Sequence, residues 1–270
     1  MTNYDTASDG SEPRVLIFDI ECTPFTAYSW GPKFNVNLIE YIEPWHLLCF
    51  AYKWYGEDEV KVISQRQFSR DYKRNRRDDR RVAQELWALF DEADIVIGHN
   101  GDQFDIKKAN ARFSIHGLGR PSPSHTVDTK KVAQRSFSFG SNSLKDLGAF
   151  LSLGTKLPHT GFDLWTGCMA GDEDSWDLME AYNIQDVVLL EQVYEKFLLE
   201  GWILNHPNIA SIKGMHDGCP NCGSSERVRR GTRTTKTGAY RYPRYKCKNC
   251  NSWYRGSASI PGSRNQSRAI

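Results

Sequence analysis

Residues Val15–Cys22, VLIFDIEC, place two acids at the end of an apolar run. Such a run is typical of a strand buried inside a sheet. Side chains two residues apart on a strand point to the same side, so Asp19 and Glu21 project together from one face. Neighbouring carboxylates repel and are costly to desolvate, and a hard divalent cation such as Mg²⁺ removes both problems. Because a D-x-E triplet arises by chance about once in a chain of this size, further acids are needed.

The rest of the chain alternates between strand and helix patterns. Predicted strands cover residues 15–20, 47–55, 59–63, 94–97 and 126–128. Predicted helices cover about 82–93, 104–116, 144–151 and 175–199. The stretch Thr155–Asp174 is predicted to be loop-like. Strands followed by alternating helices and strands indicate an α/β domain with a mixed β-sheet flanked by helices.

A second acidic motif is GHNGDQFD, residues 98–105. It follows a predicted strand and ends where a helix begins, a position that favours an acid simply because of the helix dipole. We prefer that capping role for Asp102. For Asp105 we favour a functional role because a third motif follows.

The third motif is YNIQD, in which Tyr182 and Asp186 stand four residues apart and share one helix face. Leu190, Val193 and Phe197 continue roughly that face inward. A buried aspartate there needs a partner or a metal. The simpler alternative is a tyrosine–aspartate pair satisfied within the core.

Together, D-x-E on a first strand, N-x-x-x-F-D after a later strand and Y-x-x-x-D on a late helix resemble one family. They are similar to the three exonuclease motifs of the DEDD superfamily of 3′→5′ exonucleases, which have an RNase H-like fold. The tyrosine branch fits best, as in the proofreading domains of family-B DNA polymerases. The histidine branch carries a histidine where this chain has Ala181, whereas Tyr182 fills the tyrosine-branch position.

The resemblance implies a role for each residue. The acids that would hold two Mg²⁺ or Mn²⁺ ions around the scissile phosphate are Asp19, Glu21, Asp105 and Asp186. Tyr182 would orient the attacking water, because an unperturbed phenol with a pKa near ~10 is a weak base at neutral pH. Asn100 and Phe104 would position the terminal nucleotide by hydrogen bonding and by stacking or wedging. The product would be a nucleoside 5′-monophosphate.

The C-terminal part of the chain carries two C-x-x-C pairs. The cysteines are Cys219, Cys222, Cys247 and Cys250. Paired thiolates at this kind of spacing predict a structural, tetrahedral Zn²⁺ site. Strand patterns at 227–233 and 240–245 predict a hairpin between the pairs, with residues 236–238 near its tip, and so a small C-terminal zinc ribbon.

The charge of this region differs from that of the rest of the chain. Residues 217–270 carry 12 Lys and Arg against 2 Asp and Glu, whereas residues 1–216 carry 23 against 31. This asymmetry indicates a polyanion-binding module, although a merely solvated surface is the alternative. The candidate substrate-binding arginines of the ribbon are Arg229, Arg230, Arg233, Arg241 and Arg244. They are interleaved with tyrosines, which suit unstacked bases.

The predicted organisation has four parts. These are a flexible tail at 1–12, a 3′→5′ exonuclease domain at 13–206, a zinc ribbon at 217–255 and a disordered basic tail at 256–270. No signal peptide or apolar span is apparent, which predicts a soluble, cytoplasmic protein, in the host cytoplasm if a phage encodes it. Such compact forms with a C-terminal ribbon suggest a bacteriophage or bacterial origin, on resemblance alone.

Several interpretations stay open from the sequence. We favour DNA as the substrate, with a separately encoded DNA polymerase as an optional partner. An RNA exonuclease and a binding adaptor on a degenerate nuclease fold are the alternatives. Asp128 is either an auxiliary site acid or a helix cap. The basic run 66–81 is either a nucleic-acid contact or a charged surface loop, and Trp165 is most simply a packing residue.

Overall fold

The computed structural model describes most of the chain. The described residues are 13–31, 37–158, 160–204, 206–212, 217–235 and 240–261. The predicted tail 1–12, the predicted ribbon tip 236–238 and the end of the predicted basic tail, 262–270, lie outside them. The chain divides into two compact units, Arg14–Val193 and a second that begins at Tyr194.

The first unit is built on a mixed sheet. Its strands in chain order are β1 (Val15–Cys22), β2 (Thr26–Ser29), β3 (Leu38–Glu43), β4 (Leu47–Trp54), β5 (Lys61–Ser64), β6 (Ile95–Gly98) and β7 (His125–Asp128). Five of them form one sheet in the order β5-β4-β1-β6-β7. The central strand β1 runs antiparallel to β4 and parallel to β6. Its apolar run is buried because both of its edges and both faces of the sheet are covered.

Helices flank this sheet. In chain order they are α1 (Ser69–Arg74), α2 (Arg80–Glu92), α3 (Asp105–Ile115), α4 (Thr129–Ser136), α5 (Leu144–Phe150), α6 (Asp163–Ala170) and α7 (Glu173–Leu199). The predicted α/β fold with a mixed sheet and flanking helices is therefore confirmed. No helix among the described residues is long and apolar enough to cross a membrane.

The two faces of the sheet have separate cores. On one face, Phe18 packs edge-on against Phe90 of α2, with ring centroids 4.9 Å apart, and Phe113 of α3 joins the same cluster. On the other face, Cys49 of β4 packs with Trp176 of α7 and with α6. Adjacent residues of a strand face opposite ways, so this second face is the one to which Asp19 and Glu21 belong.

The prediction of a loop over Thr155–Asp174 is wrong in part. Residues Asp163–Ala170 form α6, which buries Leu164 and Cys168 and ends at Gly171 with a φ of 82°. The segment is short, and its buried residues are too few to give a helical period. The hairpin of β2 and β3 was also not predicted, and its apolar side chains are largely exposed.

Local contacts bear on two of the open alternatives. Asp128 accepts hydrogen bonds from the backbone N–H groups of Lys130 and Lys131 and so caps α4. In the basic run 66–81, Arg66 forms ion pairs with three acids of α7, and Arg77 pairs with Glu43. These contacts favour a structural role for the run, which contains α1 rather than a loop.

The second unit contains the end of α7, the short helix α8 (Ile209–Ile212) and a three-stranded sheet. The strands are β8 (Arg227–Thr234), β9 (Arg241–Cys247) and β10 (Trp253–Arg255), in the order β10-β9-β8. The paired strands β8 and β9 correspond to the hairpin expected between the two cysteine pairs.

Candidate active site

Asp19 and Glu21 lie at the end of β1 in the middle of the sheet. Glu21 stands opposite Cys49 in the β1–β4 ladder, and the ladder becomes irregular directly after it. The Oδ2 atom of Asp19 accepts a hydrogen bond of 2.9 Å from Nδ2 of Asn183, a fully buried residue of α7. The carboxylate of Asp19 is thereby held between its own strand and α7.

α7 brings Tyr182 and Asp186 to the same place. Both side chains are buried, as the four-residue spacing predicts for a face turned towards the sheet. Carboxylate oxygens of Asp19, Glu21 and Asp186 all lie within 4.8 Å of one another. Three acids from two elements therefore converge on a volume that a single divalent cation can occupy.

Asp105 lies beside this group at the first residue of α3. Its side chain is only 4 % exposed, and its Oδ1 accepts a hydrogen bond of 3.4 Å from the backbone N–H of Ile20. Ile20 separates Asp19 from Glu21 in the chain, so this bond joins the start of α3 to the acidic strand end. Asp105 does not belong to the group of three whose oxygens lie within 4.8 Å.

Without a bound cation, burial and neighbouring charges raise the pKa values of three acids of the site. Burial, and next the charge of Asp105, raise the pKa of Asp19 well above its ordinary value. Burial and the charge of Asp186 raise the pKa of Glu21 to about 8. Burial raises the pKa of Asp105 to about 6. A divalent cation would oppose these shifts because it stabilises the charged carboxylates.

Comparison with known protein families assigns this fold. The family model of the RNase H superfamily matches residues 46–198, more than half of the chain. The chain belongs to the RNase H superfamily. No curated protein matches it. Membership supports a nuclease-type hydrolase that acts on nucleic acid, and such nucleases use divalent metals, in agreement with the acidic group.

Lys156 is a member of this RNase H-like site that the sequence did not reveal. It lies between α5 and α6, two residues after Gly154, whose φ is 128°. Its Nζ donates hydrogen bonds to Oδ2 of Asp186 and, at 3.0 Å, to the hydroxyl of Tyr182. Burial would lower the pKa of Lys156, but the charge of Asp186 and these bonds outweigh burial and raise it. An ammonium thus provides positive charge among the acids.

Tyr182 stays protonated in this environment. Burial raises its pKa to about 12, although the hydrogen bond from Lys156 opposes the shift. The ring of Trp165 on α6 meets Tyr182 edge-on, with centroids 6.4 Å apart. The Trp165 side chain also hydrogen-bonds with Glu21. Trp165 is therefore part of the site as well as a packing residue.

The loop between β6 and α3 contains Asn100 and Phe104, which are predicted to position the terminal nucleotide. Asn100 adopts a left-handed backbone with a φ of 66°, and its N–H donates a 2.9 Å hydrogen bond to Asp128. Its carbonyl accepts a hydrogen bond from the N–H of Phe104. The Phe104 side chain is 44 % exposed, next to Asp105. The predicted cap Asp102 instead pairs with Lys131 at 2.6 Å.

An aromatic cleft opens next to the acids. It has a volume of about 570 Å³ and includes Cys22, which follows Glu21 in the chain. Its large side chains are Phe25, Trp45, Phe104, Lys108, Phe162 and Trp165. The Nζ of Lys108 lies 3.8 Å from the centroid of Trp45 and 5.0 Å from that of Phe104. The cleft combines flat apolar surfaces with one cation.

The second unit contains the four-cysteine cluster. The Sγ atoms of Cys219 and Cys250 are 3.6 Å apart, and those of Cys222 and Cys247 are 3.7 Å apart. All four lie within 4.8 Å of one another. Zn–S bonds of ~2.3 Å in a tetrahedron separate sulfurs by about 3.8 Å, whereas a disulfide joins them at ~2.05 Å. The cluster therefore fits a four-thiolate metal site.

The predicted substrate-binding arginines all lie on the strands of this unit. They are Arg229, Arg230, Arg233, Arg241 and Arg244, and each is exposed. Their exposure is compatible with binding but does not distinguish one arginine from another. The strand register places Arg233 and Arg244 on one face of the sheet and Arg229 on the other.

Proposed function

We propose that this chain is a metal-dependent 3′→5′ exonuclease of the DEDD type, tyrosine branch. The observation that carries the proposal is that carboxylate oxygens of Asp19, Glu21 and Asp186 lie within 4.8 Å of one another. Tyr182 precedes Asp186 by about one turn of α7. Superfamily membership supports nuclease chemistry in general. The exonuclease type and its direction rest on the resemblance of the motifs, and Asp105 would complete the set of four acids.

The acids fit Mg²⁺ or Mn²⁺ because hard divalent cations prefer carboxylate oxygens. Asp19, Glu21, Asp105 and Asp186 would hold two such ions. When bound, these ions supply charge neutralisation at the scissile phosphate and a water molecule of lowered pKa. The raised pKa values of Glu21 and Asp105 support this assignment, because a cation would relieve the repulsion that buried acids otherwise suffer.

The protein's own groups would orient the reactants. The phenol of Tyr182, with a pKa of about 12, keeps its proton at neutral pH and would hold the attacking water by a hydrogen bond rather than remove its proton. Lys156 would add positive charge near the phosphate. Asn183 fixes the carboxylate of Asp19, so that this ligand is held in position before any substrate arrives.

The aromatic cleft suits the unstacked bases of a single-stranded 3′ end. Bases stack on aromatic faces with little sequence preference, at about 1–3 kcal/mol per base. Phe104 and Trp45 offer such faces, and Lys108 between them offers a cation for a phosphate. A base pair buries its faces within the duplex, so the cleft favours a frayed or single strand. Asn100 would contact the terminal nucleotide.

We keep DNA as the preferred substrate, and RNA as the alternative with the same chemistry. A separately encoded DNA polymerase stays a prediction from the resemblance. A binding adaptor on a degenerate fold would be expected to lack a carboxylate, yet all four are present. In the second unit we propose Zn²⁺ at Cys219, Cys222, Cys247 and Cys250. With four thiolates, this site would be closed and structural.

The test uses single strands of DNA and RNA labelled at either end, with Mg²⁺, Mn²⁺ or EDTA. A 3′→5′ exonuclease releases a labelled mononucleotide immediately from the 3′ label and a ladder of shortening products from the 5′ label. Asp186→Asn should abolish both patterns, while Asp174→Asn, at an exposed position of the same helix, should not. Digestion by Asp186→Asn at the wild-type rate would refute the assignment, and products starting from the 5′ end would refute the direction.

A further inference from the structure

The strand register divides the side chains of the ribbon between two faces. β9 pairs Tyr242 with Arg233 of β8, and it pairs Arg244 with Arg255 and Lys246 with Trp253 of β10. Residues directly opposite each other in an antiparallel ladder share a face, as do alternate residues of one strand. One face therefore carries Arg233, Tyr242, Arg244, Lys246, Trp253 and Arg255. We call it the basic–aromatic face.

The opposite face is turned towards the cysteines. Tyr245 stands opposite Tyr254 and Arg229 in the register, with ring centroids of the two tyrosines 5.6 Å apart. Cys247, two residues after Tyr245, is buried in the cysteine cluster, against which Tyr254 packs. This face thus forms the small interior of the unit, with Arg229 at its exposed edge.

On the basic–aromatic face, arginines lie over aromatic rings. The guanidinium of Arg244 is 4.2 Å from the centroid of Trp253, and that of Arg255 is 4.5 Å from the centroid of Tyr242. Trp253 is 50 % exposed even so. An arginine that rests on a ring loses part of its conformational freedom in advance, and its outer surface stays available for stacking.

The face is also free of negative charge. The three strands contain no Asp or Glu, and the face presents four cations and two aromatic rings. Cations complement phosphates, while rings and flat guanidinium groups complement the faces of bases. Base faces are accessible only in a strand that is not paired. A double helix or an acidic protein would use the cations but leave Trp253 and Tyr242 without a function.

We propose that the basic–aromatic face binds single-stranded nucleic acid, by base stacking at Trp253 and Tyr242 and by phosphate contacts from Arg233, Arg244, Lys246 and Arg255. The proposal rests on the proposed function for the class of ligand and adds a second binding site to it. It assigns roles to Tyr242, Lys246, Trp253 and Arg255 that the charge pattern alone does not identify. It also separates Arg244 from Arg229, which the sequence treats alike.

Binding is measured by fluorescence anisotropy with labelled (dT)20, the corresponding RNA and a blunt DNA duplex of equal length. The full chain carries Asp186→Asn throughout, so that digestion does not interfere. Trp253→Ala should weaken binding to single strands about tenfold, and Trp253→Phe should restore most of it. Arg244→Ala should cost clearly more affinity than Arg229→Ala, which removes the same charge from the other face. Zinc content and thermal unfolding establish that each variant is folded.

Three results would overturn the proposal. They are unchanged binding by Trp253→Ala, equal losses for Arg229→Ala and Arg244→Ala, and tighter binding of the duplex than of the single strand. The experiment is independent of catalysis. Absence of nuclease activity in the unsubstituted protein, with strand binding present, would contradict the proposed function alone, and a folded Trp253→Ala variant with unaltered binding would contradict this inference alone.

Discussion

Lys156 donates a hydrogen bond from its ammonium group to the carboxylate of Asp186, across a sequence separation of 30 residues. The same ammonium donates to the hydroxyl of Tyr182 at 3.0 Å. It therefore provides positive charge among the acids, which a bound divalent cation would also provide. Without one, this charge stabilises Asp186 in its buried position.

The first prediction concerns this ion pair. Lys156→Met should lower the free energy of unfolding of the zinc-loaded protein, without Mg²⁺ or Mn²⁺, by about 1–3 kcal/mol, because a buried carboxylate loses its charged hydrogen-bond partner. Urea unfolding measures the change. Lys131→Met is the matched control, because Lys131 pairs with Asp102 on the surface and is 50 % exposed. That variant should lose less than about 1 kcal/mol. Equal losses in the two variants would contradict the role given to Lys156.

The second prediction concerns pH. Glu21 has a raised pKa of about 8 in the fold, so the folded state binds its proton more strongly than the unfolded chain. The contribution of Glu21 to the free energy of unfolding is therefore greatest at low pH, and it is lost as the pH rises towards 8. His46 and His99 oppose this trend at lower pH, because burial lowers the pKa of each to about 4 from 6.5. Their effect ends near pH 6.5.

Between about pH 6.5 and 8 these histidines no longer contribute, and the remaining trend comes from Glu21 together with Asp19, whose pKa is also raised. In the zinc-loaded protein without Mg²⁺ or Mn²⁺, unfolding free energies should fall by roughly 1–2 kcal/mol across this interval. Glu21→Gln should reduce the slope because the amide does not titrate, whereas Asp19 still does. Stability that stays constant or rises with pH in the unsubstituted protein would contradict the raised pKa of Glu21.

The third prediction concerns Tyr182. Tyr182→Phe removes one hydrogen bond to the attacking water and should lower kcat about 10- to 100-fold, as expected for a bond to a charged or developing group. Because the pKa of Tyr182 is about 12, the ratio of wild-type to variant rates should be the same at pH 7, 8 and 9. A ratio that increases with pH over this range would instead indicate an ionised phenol.

The fourth prediction concerns the cysteine cluster. Cys247→Ser should abolish the binding of about one zinc ion per chain, and the ribbon should become sensitive to trypsin because metal binding and folding are coupled in such units. Elemental analysis and limited proteolysis measure both effects. Lys248→Ala, at an exposed position of the following turn, should keep its zinc. Stoichiometric zinc in Cys247→Ser would refute the site.

How far the sequence predicted the molecule depends on the range of the contacts. The strand period of two residues was enough to place Asp19 and Glu21 on one face of β1. The helix period of nearly four residues was enough to place Tyr182 and Asp186 on one face of α7. The mixed α/β fold was correct for the same reason. The contact of Lys156 with Asp186 depends on the path of a loop, and no local pattern encodes it.

Other features were missed for comparable reasons. α6 is short and buries only two of its residues, so it left no clear period in the sequence. Asn183 stands inside the YNIQD motif, but its bond to Asp19 becomes visible only when α7 lies against the sheet. The two faces of the ribbon required the register, because the sequence alone does not say that Arg244 and Arg229 point in opposite directions.

The central place of β1 has a consequence for how the enzyme forms. β1 is hydrogen-bonded on both sides, to β4 and to β6. A slip of one residue would turn Phe18 and Ile20 towards α7 and bury Asp19 and Glu21 in the apolar core on the other side. Such a chain would lose its core and its acidic group at the same moment. The register of β1 therefore determines both whether the core forms and whether the acidic group is assembled. A chain with a shifted β1 would have neither.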